Sequence, residues 1–112
     1  TAHALRIALP MLGSTVLVLN GDTLPRYDLR LLLRTASILV AQPTIAAMHD
    51  GRYAGAAVFH RAGLDALRES GSSDLDDLIL EVAARYNATG GYLDVGTPED
   101  FYRAQHTKME NL

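Results

Sequence analysis

The stretch from Thr15 to Asp22 constrains the fold of this chain more than any other. Its first five residues are apolar or β-branched, which is typical of a strand buried on both faces of a sheet. The strand stops at Asn20-Gly21-Asp22, a turn that carries a carboxylate. Ligands of open α/β sheets bind at the carboxyl ends of strands, so Asp22 is well placed to hold a ligand or metal ion. Asn-Gly is also a strong turn signal, and the second interpretation is that Asp22 only caps or solvates that turn.

The composition predicts one globular domain over residues 1–112. Its 112 residues are 48% hydrophobic, which allows a modest core. A formal net charge of -3, from 10 basic and 13 acidic side chains, leaves no basic stripe for a nucleic-acid backbone. No segment has the length of a membrane span, the first residues lack a signal-peptide pattern, and cysteine is absent. We therefore expect a soluble cytoplasmic protein with no nucleic-acid or membrane partner.

Helical and strand patterns alternate along the chain, as they do in domains built on parallel sheets. We expect helices over 2–9, from Asp28 onward, over 62–69, over 75–86 and over 98–109. We expect strands over 15–20 and 53–60, with one or two short strands within 38–48, a turn at 49–52 and a short strand at Asp94.

Two aspartate-containing segments begin helices. Asp28 is placed to cap a helix with Leu29, Leu32, Leu33 and Ala36 on its packed face. Ser73, Asp74, Asp76 and Asp77 begin the clearest amphipathic pattern, and their negative charge matches the helix dipole. We assign these three aspartates to the helix start rather than to a metal site. The four histidines show no ligand spacing and are expected on the surface or in packing roles.

Gly55 and Asp94 stand out because neither residue has a structural role that its predicted strand explains. Gly55 lies inside an apolar strand, where glycine marks either the close approach of a ligand or backbone, or a bulge. Asp94 lies in a short strand just before Thr97 and Pro98, which have the pattern of a helix start. Asp94 therefore has no part in capping that helix.

Two segments together carry a family resemblance, Leu17-Val18-Leu19-Asn20-Gly21-Asp22-Thr23 and Tyr92-Leu93-Asp94-Val95-Gly96-Thr97-Pro98-Glu99-Asp100. They resemble motifs of the sugar-1-phosphate nucleotidylyltransferases, in particular the branch similar to mannose- and heptose-1-phosphate guanylyltransferases. Residues 1–5 are similar to the family segment upstream of the first motif, and residues 54–59 to its glycine-containing strand beside the sugar. The resemblance touches most of the chain and is specific at the two aspartate motifs.

The resemblance implies a partial three-layer α/β/α nucleotide-diphospho-sugar transferase fold with a mostly parallel sheet. The family reaction joins a nucleoside triphosphate and a sugar 1-phosphate, giving a nucleotide sugar and pyrophosphate. By the same resemblance Asp22 and Asp94 hold Mg²⁺, with no catalytic residue beyond these metal ligands, and Gly21 and Gly55 leave room for the substrates. A hard dication held by two carboxylates and substrate phosphates agrees with this assignment.

The chain also departs from the family pattern. No Gly-x-Gly-x-x-Gly loop occurs in it, and the Glu-Lys pair of the family is missing between Thr44 and Tyr53. It resembles the later part of the domain with an internal deletion, which would leave strand 15–20 with an apolar edge and favour a homo-oligomer. The alternatives are a non-catalytic α/β binding or assembly module with the same fold, and a receiver-like domain built on Asp22.

Overall fold

Helices and consecutive pairs of strands follow one another through the described part of the chain and build a mixed α/β structure. The computed structural model describes residues 2–8, 11, 13–69, 74–94, 99 and 102. In chain order its elements are α1 (Ala2–Ala8), β1 (Val16–Leu19), β2 (Thr23–Pro25), α2 (Leu29–Ile38), β3 (Thr44–His49), β4 (Arg52–Phe59), α3 (Arg61–Glu69), α4 (Leu75–Val82), β5 (Ala84–Asn87) and β6 (Tyr92–Asp94). None of the helices described there is long and apolar enough to cross a membrane.

The main sheet has the strand order β1-β4-β3-β5, and β2 pairs with β6 in a second, two-stranded sheet. Strand β4 pairs antiparallel with both β1 and β3, and only β3 and β5 run parallel. The expectation of a mostly parallel sheet is therefore wrong for these strands. The reason is the turn between β3 and β4, where Asp50 and Gly51 both have positive φ angles of 51° and 75°. Two such residues form a tight hairpin, which makes its strands antiparallel.

Helices cover both faces of the main sheet because β3 and β4 are apolar on both sides. One face packs with α2, and its buried residues include Leu32, Ile45 and Val58. The other face packs with α3 and α4 around Phe59 and Ile79, and the α1 residue Leu5 lies against that cluster. Alternate strand residues point to opposite faces, so these continuous apolar runs supply two hydrophobic cores.

Helix α2 forms largely as its sequence predicts. The Asp28 carboxylate accepts hydrogen bonds from the backbone N–H groups of Arg30 and Leu31 at 2.9 and 3.2 Å, which satisfies two donors of the first turn. Leu29, Leu32 and Ala36 are buried as expected. Leu33 is 40% exposed, so its assignment to the packed face is wrong.

The helix expected over residues 75–86 ends earlier. Helix α4 stops at Val82, and residues 84–87 form β5, which pairs in register with β3 from Ile45↔Ala84 to Met48↔Asn87. Ala84 and Tyr86 pack against a core cluster with the two-residue period of a strand, although Tyr86 also fits the helical spacing. Residues 84–87 form a strand rather than a helix because they can pair with the edge of β3.

The other expected elements have mixed outcomes. The segment 38–41 is not a strand, because Ile38 is the last residue of α2, whereas β3 covers the expected strand at 44–48. The turn at 49–52 and the short strand containing Asp94 are present. Ser73, Thr97, Pro98 and most of the last expected helix lie outside the described residues.

Strand β1 is less buried than its sequence predicts. Its first three residues are only partly buried, and Leu19 is 49% exposed. Among the described strands β1 pairs with β4 alone, so it forms one edge of the main sheet. An apolar edge without charge or proline offers free backbone groups to another strand.

Two tyrosines give a matched test of polar burial. The Tyr27 hydroxyl donates a 2.8 Å hydrogen bond to the carbonyl of Ala54, and burial raises the pKa of Tyr27 to about 12. The Tyr53 hydroxyl is buried and has no hydrogen-bond partner among the described residues. Burial, with smaller contributions from the charges of Asp76 and Tyr27, raises the pKa of Tyr53.

We predict that Tyr53→Phe raises the free energy of unfolding by about 1 kcal/mol, because a buried donor without a partner is removed. Tyr27→Phe is the control and should lower it by about 1 kcal/mol, because the carbonyl of Ala54 loses its donor. Urea unfolding of both variants measures the two changes. Equal losses in both would contradict this account of Tyr53.

We predict that the exposed edge makes the isolated chain self-associate. Leu19→Lys should weaken association, because a charge on an edge strand blocks strand pairing. Ile38→Lys is the control, since Ile38 is an even more exposed apolar residue, at 72%, but lies outside the sheet. Size-exclusion chromatography with light scattering measures the association. A wild-type chain that stays monomeric at every concentration would rule out the prediction.

Candidate functional site

The Asn-Gly-Asp motif forms a turn that is fixed to the central strand. The backbone N–H of Thr23 donates to the carbonyl of Asn20 at 3.3 Å, which closes a β-turn with Gly21 and Asp22 at its centre. The N–H of Asn20 donates to the carbonyl of Gly55 at 2.8 Å, which ties the turn to β4. Asp22 is exposed at the tip, directly beyond the carboxyl end of β1.

Strand pairing brings the second motif to this turn. Strands β2 and β6 pair antiparallel with Thr23 opposite Asp94. Directly opposed α-carbons are about 4.5–5.5 Å apart, and adjacent residues of one chain are about 3.8 Å apart. The α-carbons of Asp22 and Asp94 are therefore separated by no more than about 9 Å. Two motifs far apart in the sequence meet at the backbone level.

An open cavity of about 830 Å³ lies beside the turn. Its apolar lining comes from α1, β1 and α4, and its polar lining is the turn residues with the carboxylates of Asp22, Asp74 and Asp76. No basic side chain is among the described residues that line it. The cavity thus combines apolar walls with a concentration of negative charge.

The carboxylates influence one another across the cavity. The pKa of Asp76 is raised, first by burial and then by the negative charges of Asp74, Asp22 and Asp77. Asp74 also caps α4, since its side chain accepts from the backbone N–H of Asp77 at 3.2 Å. The expected capping role is therefore present. That the same helix start faces Asp22 could not be predicted from the sequence, because it depends on where α4 packs on the main sheet.

The two candidate glycines differ in what surrounds them. A side chain at Gly21 would meet no atom within 4 Å, and Gly21 does not have a positive φ. Gly55 has a φ of 84°, and an added Cβ would lie 2.8 Å from Cγ2 of Thr23. The protein itself explains glycine at position 55. Among the described atoms, nothing explains it at position 21.

Gly55 also lies in a bulge, which is one of the two interpretations that its sequence position allows. Strand pairing shifts between Ala46↔Ala57 and Met48↔Tyr53, so one residue of β3 faces three of β4. Positive φ at Gly55 is compatible with this irregularity, because glycine has no Cβ to clash. The group that approaches Gly55 closely is Thr23.

The described histidines serve packing roles, as expected. His49 contacts the carbonyl of Ala88 through Nδ1 at 3.2 Å and packs edge-on against Tyr92, with ring centres 6.4 Å apart. His60 joins the carbonyl of Ala36 at 2.9 Å to the hydroxyl of Thr15 at 3.3 Å. These contacts occupy both rings within the fold.

The donor chemistry at the turn suits a hard cation. Carboxylate oxygens are the ligands that Mg²⁺ prefers, and one or two of them suffice when phosphates and water complete the shell. No group of three or more His, Cys, Asp or Glu side chains in the described part of the chain forms a self-contained metal site.

Comparison with known proteins yields no family assignment. The chain matches no protein-family model, and no curated protein matches it.

We predict that Asp76→Asn is more stable than Asp77→Asn at neutral pH, by about a few tenths of a kcal/mol because Asp76 is exposed to solvent. Both variants lose a charge from the first turn of α4, so the helix-dipole effect cancels between them. Asp76→Asn removes a carboxylate whose pKa is raised by burial and then by the negative charges around it.

The sign follows from proton binding. A raised pKa means that the folded state binds the proton of Asp76 more tightly than the unfolded state, so stability falls as pH rises through the folded pKa. The difference between the variants should therefore vanish below the ordinary carboxyl pKa of about 4. Thermal unfolding across this pH range measures it, and a constant difference at every pH would contradict the electrostatic cause.

Proposed function

We propose that this chain is a sugar-1-phosphate nucleotidylyltransferase-like domain on the nucleotide-diphospho-sugar transferase fold, with Asp22 and Asp94 as its Mg²⁺ ligands. The single observation that supports it most is the pairing of Thr23 with Asp94. This register joins the two motifs that carry the family resemblance. Neither segment, taken alone, has a sequence pattern that requires it to pair with the other.

The charge of the cavity supports a cation in this role. Three carboxylates line it, and the described lining offers no basic group to attract phosphate. A triphosphate and a sugar phosphate are themselves anions, so they would approach this surface only with a cation between the charges. Mg²⁺ bound by carboxylates and phosphate oxygens meets that requirement.

The proposed reaction is an in-line displacement. A phosphate oxygen of the sugar 1-phosphate attacks the α-phosphorus of the nucleotide, a new P–O bond forms, and the bond to the β-phosphate breaks to release pyrophosphate. The metal ion supplies charge neutralisation at the α-phosphate when bound. Asp22 and Asp94 hold and orient it, while Gly21 leaves its backbone open to the nucleotide.

The unexplained glycine at position 21 agrees with a ligand-binding turn. Neither backbone conformation nor a neighbouring atom among the described residues excludes a side chain there. Glycine at such a position is expected where a ligand approaches the backbone closely. The proposal assigns this approach to the nucleotide at Gly21, and treats a substrate contact at Gly55 as secondary.

The second candidate is a non-catalytic α/β module that keeps the fold for binding or assembly. The lack of a basic group in the described cavity lining favours it, since catalysis must also balance the leaving pyrophosphate. The free edge of β1 would serve as its contact surface. Nothing in the described residues favours a receiver-like domain, whose parallel sheet fits the antiparallel pairing of β1 no better than the mostly parallel sheet of the transferase fold does.

We predict that Asp22→Asn and Asp94→Asn each weaken Mn²⁺ binding at least about tenfold, because a dication loses one of two carboxylate ligands. Asp65→Asn is the matched control, an exposed aspartate on α3 away from the cavity. Calorimetry, or electron paramagnetic resonance of free Mn²⁺, measures the affinities. Full binding in Asp94→Asn with loss in Asp76→Asn would move the cation into the cavity and refute the assigned ligands.

Turnover separates the two candidate functions. Nucleoside triphosphates and sugar 1-phosphates are supplied in combination with Mg²⁺, and pyrophosphate release is measured for the wild type and Asp22→Asn. Release that requires both substrates and Asp22 supports the transferase. Metal binding without release supports the non-catalytic module.

A further inference from the structure

Thr23 occupies the space that glycine provides at position 55. Three of its side-chain atoms lie within 3.2 Å of the place where a Gly55 Cβ would be. Any larger residue at 55 would have to displace Thr23, and the positive φ would strain it as well. The absence of a side chain at 55 therefore determines where Thr23 packs.

The same threonine contacts both parts of the candidate metal site. Its hydroxyl donates to Oδ1 of Asp22 at 3.4 Å, a long hydrogen bond at an exposed position. Its backbone is paired with Asp94. Its N–H closes the turn that carries Asp22. Thr23 thus connects Gly55 on β4 with both aspartates.

We propose that Thr23 is a positioning residue, whose hydroxyl, held by the packing of its side chain on Gly55, orients the Asp22 carboxylate toward a divalent cation. This inference rests on the proposed function, because it assumes that Asp22 binds the cation. It changes the role of Gly55, which acts through Thr23 rather than by contact with substrate.

The expected size of the effect follows from similar arrangements. Groups that hydrogen-bond to a metal ligand typically change metal affinity by about 10–100-fold when removed. The 3.4 Å contact is long, so we expect an effect at or just below the lower limit of this range, about five- to tenfold. For an effect of this size, the Thr23 hydroxyl need only make one orientation of the Asp22 carboxylate more populated than the others.

The test compares isosteric and conservative variants by Mn²⁺ titration. Thr23→Val keeps the shape that packs on Gly55 but removes the hydroxyl, and it should weaken binding about five- to tenfold. Thr23→Ser keeps the hydroxyl and should bind within about twofold of the wild type. Thr35→Val is the matched control, because it removes the hydroxyl that donates to Leu31 at 2.8 Å on α2. It should leave Mn²⁺ affinity unchanged.

The outcomes separate this inference from the proposed function. Wild-type affinity in Thr23→Val, or equal losses in the valine and serine variants, would overturn the role of the hydroxyl while leaving Asp22 and Asp94 as ligands. No Mn²⁺ binding by the wild type would reject the metal site itself, and this inference with it. Urea unfolding without metal must give similar stabilities for the three variants if the affinity loss is local.

A measurement without metal tests the packing of Thr23 on Gly55 separately. Nuclear Overhauser effects between the Thr23 methyl group and the Gly55 α-protons are expected in the apo protein, because those groups are in contact. Their absence would overturn the packing on which the inference depends, whatever the titrations show.

Discussion

The bulge in β4 is the constraint on which the rest of the structure depends. Strand β4 pairs with β1 on one side and β3 on the other, so it fixes the main sheet. At the irregular position of β4, the carbonyl of Gly55 accepts a hydrogen bond from the N–H of Asn20, and the side chain of Thr23 packs against Gly55. The two-stranded sheet of β2 and β6 is thereby attached at the end of β1. This attachment positions the paired aspartate motifs relative to the main sheet.

The features that could be predicted from the sequence are those decided within a few residues. Asp28 caps α2 because its carboxylate reaches donors two and three positions ahead. The pair Asp50-Gly51 adopts the positive φ angles that its residue types favour. The Asn-Gly-Asp turn is closed by a local hydrogen bond from the N–H of Thr23 to the carbonyl of Asn20. Such contacts need no knowledge of what packs against them.

The features that could not be predicted depend on distant partners. Ala84–Asn87 became a strand because β3 offered it an edge, although the helical spacing through Tyr86 was equally regular. Strand direction could not be predicted, because a pattern of helices and strands does not reveal which strands are neighbours. Asp76 joins the candidate site only through the position of α4 beside β1. Sequence pattern carries no direct record of these distances.

The charge of the site imposes a coupling between its expected ligands. Asp22, Asp74 and Asp76 repel any phosphate that enters the cavity alone, and the same negative charges, after burial, help to raise the pKa of Asp76. A bound cation reduces that field, so it favours phosphate, and by thermodynamic linkage phosphate must favour the cation by the same factor. Weak metal binding by the free chain is therefore compatible with tight binding of a metal–nucleotide complex. In the proposed metal–nucleotide complex, two carboxylates and the phosphates would share one ion, so the geometry of Asp22 would matter most there.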